Sequence, residues 1–204
     1  MPFIQARVKF TNGDGRVVTD ASNNLNVNTG GESTLELREG TFTALSGGTL
    51  TFADGSSTTF TPGNDKTYNV AAAQAGVANF KGTSPNYIVR GSSLVKVLKY
   101  PDNATNINHE NSPNLIEVPD KLPPNVTNLT YAFYNCSSFN QPLGNWNTTN
   151  VTNMSYMFNG CTNFNQDLSK WCVSLITSIP NNFNYNAPLL TAAKLPVWGT
   201  CPAR

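Results

Sequence analysis

The residues that could carry chemistry in this chain are few: one histidine, four cysteines and a thin scatter of carboxylates. A Ser-His-Asp arrangement would have to run through His109. That residue stands in the loop-like stretch Asn106-Ile107-Asn108-His109-Glu110, where a solvated side chain is expected. A carboxylate pair for glycoside hydrolysis would have to come from residues such as Glu32, Glu36 and Glu39. These lie in or beside the alternating strand pattern Ser33 to Arg38, which predicts a solvated face. No C-x-x-C or Cys/His spacing suits zinc, and the glycine pairs fall in hairpin turns, not in a phosphate-binding loop. The expectation is therefore a non-enzymatic protein, with no catalytic residue, cofactor or metal assigned.

Composition narrows the class further. The 204 residues carry 13 Lys+Arg against 12 Asp+Glu, and only 12% are charged. Nucleic-acid binding needs a basic face to displace counterions, and none is present. Asn and Thr together fill about a quarter of the chain. No run approaches the roughly 18 apolar residues of a membrane span, so membrane insertion is not expected. The opening MPFIQARVKF lacks a basic n-region, an apolar h-region and a small-residue cleavage site, so Sec-dependent export is not expected either.

Two stretches of different composition must position whatever the chain presents. Residues 1–85 read as short strands divided by turns. Ala6 to Phe10 alternates, Asn12-Gly13-Asp14-Gly15 signals a turn, and Arg16 to Thr19 returns. Ser33–Arg38, Thr41–Leu45, Thr49–Phe52 and Ser57–Thr61 continue the pattern, with Gly30-Gly31, Gly47-Gly48 and Asp54-Gly55 between strands. This predicts a small β-sandwich or barrel module. Ala71 to Ala75 fits a short helix or a small-residue connector equally well.

From Asn86 the composition changes: asparagine becomes dense, and between Leu122 and Ser169 the only charged residue is Asp167. The chain also repeats. Asn125-Val126-Thr127-Asn128-Leu129-Thr130-Tyr131-Ala132-Phe133 returns as Asn150-Val151-Thr152-Asn153-Met154-Ser155-Tyr156-Met157-Phe158. The same offset, Asn125 to Asn150, holds without a gap through Cys136/Cys161, Phe139/Phe164, Asn140/Asn165, Gln141/Gln166, Leu143/Leu168 and Trp146/Trp171. Weaker copies stand at Gly91-Ser92-Ser93-Leu94, Ser112-Pro113-Asn114-Leu115 and Ile176-Thr177-Ser178-Ile179. A period in the twenties predicts a solenoid whose coils share one core. Val126/Val151, Leu129/Met154, Phe133/Phe158, Cys136/Cys161, Phe139/Phe164 and Trp146/Trp171 are the expected inward columns. Outside them, Asn128/Asn153, Tyr131/Tyr156, Thr127/Thr152 and Asn140/Asn165 form candidate surface ladders. These either meet sugars or a neighbouring protein, or satisfy the turns of the repeat itself.

Ala132-Phe133-Tyr134-Asn135-Cys136-Ser137-Ser138-Phe139 and Met157-Phe158-Asn159-Gly160-Cys161-Thr162-Asn163-Phe164 resemble the core of the leucine-rich repeats in BspA-like bacterial surface proteins. The longer string from Asn150 to Trp171 is similar to the variant in Mycoplasma lipoproteins, marine bacterial surface proteins and phage-encoded proteins. The tail from Trp171 to Pro202 looks like the terminal cap of such arrays. The resemblance covers residues 88–204, leaves the N-terminal half unmatched, and implies a leucine-rich-repeat-like solenoid over 86–204 capped from about 171. With the β-rich module that the strand pattern predicts over 1–85, expected to anchor it, the chain is expected to be mainly β. It implies adhesion or display on a surface without catalysis. With no export signal and few repeats, the first expectation is a virion structural protein of a phage, as capsid decoration or tail component. Its N-terminal module would dock on coat or tail proteins, and its outward repeats would meet a host-surface glycan or protein. It is expected to be a homo-oligomer on the virion surface. The alternative is a bacterial cell-surface adhesin.

Cys136 and Cys161 share a repeat position and are expected as buried thiols, with a bond between neighbouring repeats as the alternative. Cys172 and Cys201 lie outside that column, bracket the end of the array and form a candidate disulfide. Assembly in a reducing cytosol would leave them as thiols. The sequons at Asn103, Asn125, Asn128, Asn150 and Asn153 follow from an Asn- and Thr-rich composition, and no glycans are expected on them.

Overall fold

The computed structural model describes residues 32–45, 47–61, 67–82 and 84–202. The expected strands Ala6–Phe10 and Arg16–Thr19, the turn between them and the Gly30-Gly31 pair lie outside these residues. Where alternation was clear, strands form. β1 (Glu32–Leu37) turns Ser33, Leu35 and Leu37 inward and leaves Glu32 exposed, the period-2 burial that a half-buried strand requires. β2 (Gly40–Ala44), β3 (Gly48–Thr51) and β4 (Ser57–Phe60) follow, then β5 (Tyr68–Val70). Within Ala71–Ala75 a single turn of 3-10 helix, Ala72–Gln74, leads into β6 (Gly76–Gly82).

The next three strands are β7 (Asn86–Arg90), β8 (Leu94–Lys99) and β9 (Asn106–Asn108). One sheet has the order β4-β3-β6-β1-β8 and the other β5-β2-β7-β9. Neither strand order closes on itself, so the arrangement is two sheets and not a barrel. They pack face to face through angled rings: Phe42 of β2 lies 5.6 Å from Phe60 and 6.5 Å from Phe80, and Phe80 lies 6.3 Å from Tyr87. The buried Tyr87 hydroxyl donates to Ser33 Oγ at 3.0 Å, and Ser33 Oγ donates to the Phe80 carbonyl. Burial pushes the Tyr87 hydroxyl well above its ordinary pKa.

The sheets do not end where the composition changes. β7 pairs with β2 and β8 with β1, although β7 starts at Asn86, where the asparagine-rich stretch begins. β9 then pairs with β7 in parallel. Two single parallel bridges carry the same direction onward, Asn106 with Asn128 and Asn128 with Asn153. On the other sheet, Lys96 of β8 bridges Glu117, again in parallel. The weak copy Gly91-Ser92-Ser93 is thus the turn between β7 and β8. A Cβ on Gly91 would stand 2.1 Å from the Thr41 carbonyl oxygen, which is why only glycine fits there.

Beyond Asn108 regular strands give way to chained turns, with a 3-10 turn at Ala192–Lys194 the only helix among the described residues there. The expected inward columns are all buried and continue the core of the sheets. Phe133 and Phe158 stack at 5.5 Å, Phe139 and Phe164 at 5.8 Å, and Trp146 and Trp171 at 6.4 Å. Both of these indole N–H groups donate to a carbonyl of the preceding unit, Trp146 to Pro119 at 3.0 Å and Trp171 to Leu143 at 2.9 Å. A buried indole with its one donor satisfied brings large apolar area at little polar cost.

Candidate functional site

Two consecutive units build the same turn and place a tyrosine in it. Ala132 N–H donates to the Leu129 carbonyl, and Met157 N–H to that of Met154, closing turns whose third residues are Tyr131 and Tyr156. Both tyrosines have φ of +59°. That position favours glycine or asparagine, and a bulky side chain there is a true outlier. The next unit has Asn182 at φ +50° in the matching turn, closed by Phe183 N–H on the Pro180 carbonyl.

The two tyrosine rings stack at 4.9 Å with 17° between their planes, and Tyr134 meets Tyr131 edge-on at 5.5 Å. All three are half-buried. Asn181 Nδ2 donates to the Tyr156 hydroxyl at 2.9 Å. The amides beneath are engaged: Tyr131 N–H donates to Ser155 O and Tyr156 N–H to Asn181 O.

The asparagine and threonine ladders serve the repeat first. Asn128 Oδ1 accepts from Thr130 N–H at 2.9 Å, and Asn153 Oδ1 from Ser155 N–H at 3.0 Å. These are Asx-type turn bonds. Thr152 donates twice to the Thr127 carbonyl, from its N–H at 2.8 Å and its hydroxyl at 3.1 Å. Asn140 Oδ1 accepts from Asn165 N–H and from Gln166 Nε2. Gln141 spans Val118 in the manner of a neighbouring strand, accepting from its N–H and donating to its carbonyl.

His109 overturns the expectation of a solvated loop residue: it is completely buried. Its Nδ1 donates to the Val89 carbonyl at 2.9 Å, leaving Nε2 to accept from the Tyr100 hydroxyl at 3.3 Å. The ring lies flat on Tyr100 and edge-on to Tyr87. Burial holds its pKa down at about 4 against an ordinary 6.5, only partly offset by the bond to Val89. The loop reading of this stretch is overturned too: Asn106–Asn108 is strand β9, paired in parallel with β7, and His109 follows it directly into the interior.

Among the described residues the carboxylates form no pair in a cleft. Glu36 and Glu117 flank Lys96 Nζ at 3.2 and 3.6 Å, an ion-pair group on the outside of β1 and β8. Glu110 pairs with Arg90. Cys172 and Cys201 are bonded, with Cα atoms 4.0 Å apart, while Cys136 and Cys161 are free and buried. The Cys136 thiol donates to His109 O and that of Cys161 to Phe133 O. Burial pushes the Cys136 pKa up to about 12 and that of Cys161 well above normal. No cluster of three or more His, Cys, Asp or Glu side chains suited to a metal occurs among the described residues.

Two shallow concavities flank the repeats. One is lined by Asn135, Gly160, Thr162, Asn184 and Asn186, the other by Asn145, Thr148, Lys170 and the Cys172–Cys201 bond. Neither has a carboxylate, histidine or free thiol in its wall. Sequence reasoning found Tyr131 and Tyr156 but missed their backbone conformation and the third ring, Tyr134. The available signal was Asn182, a residue at home in the left-handed region, in the matching turn of the next unit.

No curated protein and no solved structure matches the chain. Residues 107–195, the stretch that contains both tyrosine turns, match the family described as "Mycoplasma protein of unknown function, DUF285".

Proposed function

We propose that this chain is a non-enzymatic binding protein displayed on a surface, in which stacked leucine-rich-repeat-like coils present one face to a partner and the sheet module anchors them. The observation that carries the reading is the tyrosine pair: half-exposed rings are held in register by two copies of one turn. Supporting it, reactive groups are withdrawn from solvent. The sole histidine and both free thiols are buried and bonded, and the lining of these concavities has no carboxylate, histidine or free thiol. The disulfide fits residence outside a reducing cytosol. Quantitative mass spectrometry of density-purified phage particles and of washed cell envelopes tests this. Retention through a high-salt wash is the expected result. A fixed ratio to coat protein identifies the phage virion as the display surface, and retention on envelopes alone identifies a bacterial adhesin. Recovery solely in the soluble fraction overturns display on any surface.

A further inference from the structure

Resting on the reading of a displayed binding protein, we infer that Tyr131 and Tyr156 form a binding site for an uncharged glycan. Their backbone is the first observation. The turn does not need tyrosine, since Asn182, a residue that tolerates the left-handed region, occupies the corresponding turn in the next unit. Two bulky residues nevertheless adopt that conformation, and such outliers cluster where a function depends on them. Ring stacking alone is a poor explanation for the cost. Phe133/Phe158 and Trp146/Trp171 stack across the same step and are absent from the positive-φ residues.

The chemistry of the face selects the ligand. Between Leu122 and Ser169, the stretch that holds Tyr131, Tyr134 and Tyr156, the only charge is Asp167, and in the preceding unit Glu110 and Arg90 pair with each other, so the face has little to attract an ionic partner. What the face offers is aromatic edge, hydroxyl and amide. Because Asn181 donates to the Tyr156 hydroxyl oxygen, that hydroxyl's proton is directed to an outside acceptor. Asn128 and Asn153 spend their Oδ1 atoms on their own turns, which leaves their Nδ2 groups as the donors available to a ligand. The hydroxyl groups of a sugar complement these hydroxyls and amides, and its apolar C–H surface makes only van der Waals contact with the ring edges. An extended peptide does not fit the face, because strand addition needs free backbone N–H and C=O groups. Here the Tyr131 and Tyr156 N–H groups are already bonded to Ser155 and Asn181.

The test uses the full chain on an array of neutral and of sialylated or sulfated glycans, followed by calorimetric titration with a neutral oligosaccharide it retains. Wild-type protein is expected to retain neutral glycans in preference to charged ones. The double variant Tyr131→Gly/Tyr156→Gly suits the backbone while deleting both rings, and should weaken binding at least tenfold while still melting cooperatively. Tyr131→Phe/Tyr156→Phe keeps the stack and should weaken binding through the hydroxyls alone. Retention of no neutral glycan, a preference for charged ones, or wild-type affinity in the glycine pair overturns the inference. If glycans fail while the chain still stays on particles or envelopes, the glycan assignment falls and the display reading stands.

Discussion

His109 shows how one enclosed side chain sets a response of the whole protein. Folded, its imidazole is neutral, fixed by Val89 O on one nitrogen and the Tyr100 hydroxyl on the other. The neighbouring Tyr87 and Phe133 rings and the Cys136 thiol offer no charge to stabilise an imidazolium. The unfolded chain takes up a proton near 6.5, whereas the folded one resists until about 4. Stability from this group is therefore complete above 6.5 and is lost as pH falls toward 4, by about 3 kcal/mol. Urea unfolding from pH 7 to pH 4 should show that decline, and His109→Gln should flatten it. An unchanged slope in the variant would assign the acid sensitivity to carboxylates instead. None of this was legible in the sequence, because a lone histidine between polar neighbours carries no mark of the distant carbonyl and phenol that enclose it. The tyrosine turn was hidden for the opposite reason: local preference for glycine or asparagine argues against the conformation that Tyr131 and Tyr156 adopt.

At the scale of the element, the repeat register was fully legible. Val126/Val151, Phe133/Phe158 and Trp146/Trp171 recur at one constant offset, and each pair is buried. What the register did not reveal is that β7 and β8 are strands of the two sheets. Their amino acids follow the asparagine-rich style only weakly, and pairing with β1 and β2 is a long-range event that no local pattern encodes. The turn joining them supplies a sharp test. Gly91→Ala places a methyl carbon against the Thr41 carbonyl at φ +127°, where neither the clash nor the dihedral can relax cheaply. A loss of about 3 kcal/mol or more is expected in chemical denaturation, in line with strained-backbone and overpacking costs. Gly144→Ala, with open space around its Cβ, is the matched control and should change little.

For the whole molecule, the buried residues form one continuous cluster from Leu35 to Leu190. A chain cut to residues 86–204 would keep the repeats yet strip β7 and β8 of their antiparallel partners. It should unfold without cooperativity or aggregate, as judged by circular dichroism melting and light scattering. A cooperative transition in that fragment would show that the repeats are self-sufficient. At the far end, the Cys172–Cys201 bond ties the last segment back to Trp171's neighbour, where Val173 N–H also meets Thr200 O.

Along the tyrosine turns, the backbone hydrogen bonds between units run one way. Leu129, Tyr131, Phe133 and Asn135 donate to the following unit at Asn153, Ser155, Met157 and Asn159, and Tyr156, Phe158 and Gly160 donate onward to Asn181, Phe183 and Tyr185. On this side each unit offers carbonyls to its predecessor and amides to its successor. The two tyrosine units therefore share one directional pattern of donors and acceptors. A chain lengthened by one whole unit is expected to keep both of its ends as they are. Its reach and the number of tyrosine rungs should then behave as a count: copying the segment 125–149 once is expected to add one rung while the protein still melts in a single transition, and a loss of cooperativity on melting would show that the units are not exchangeable.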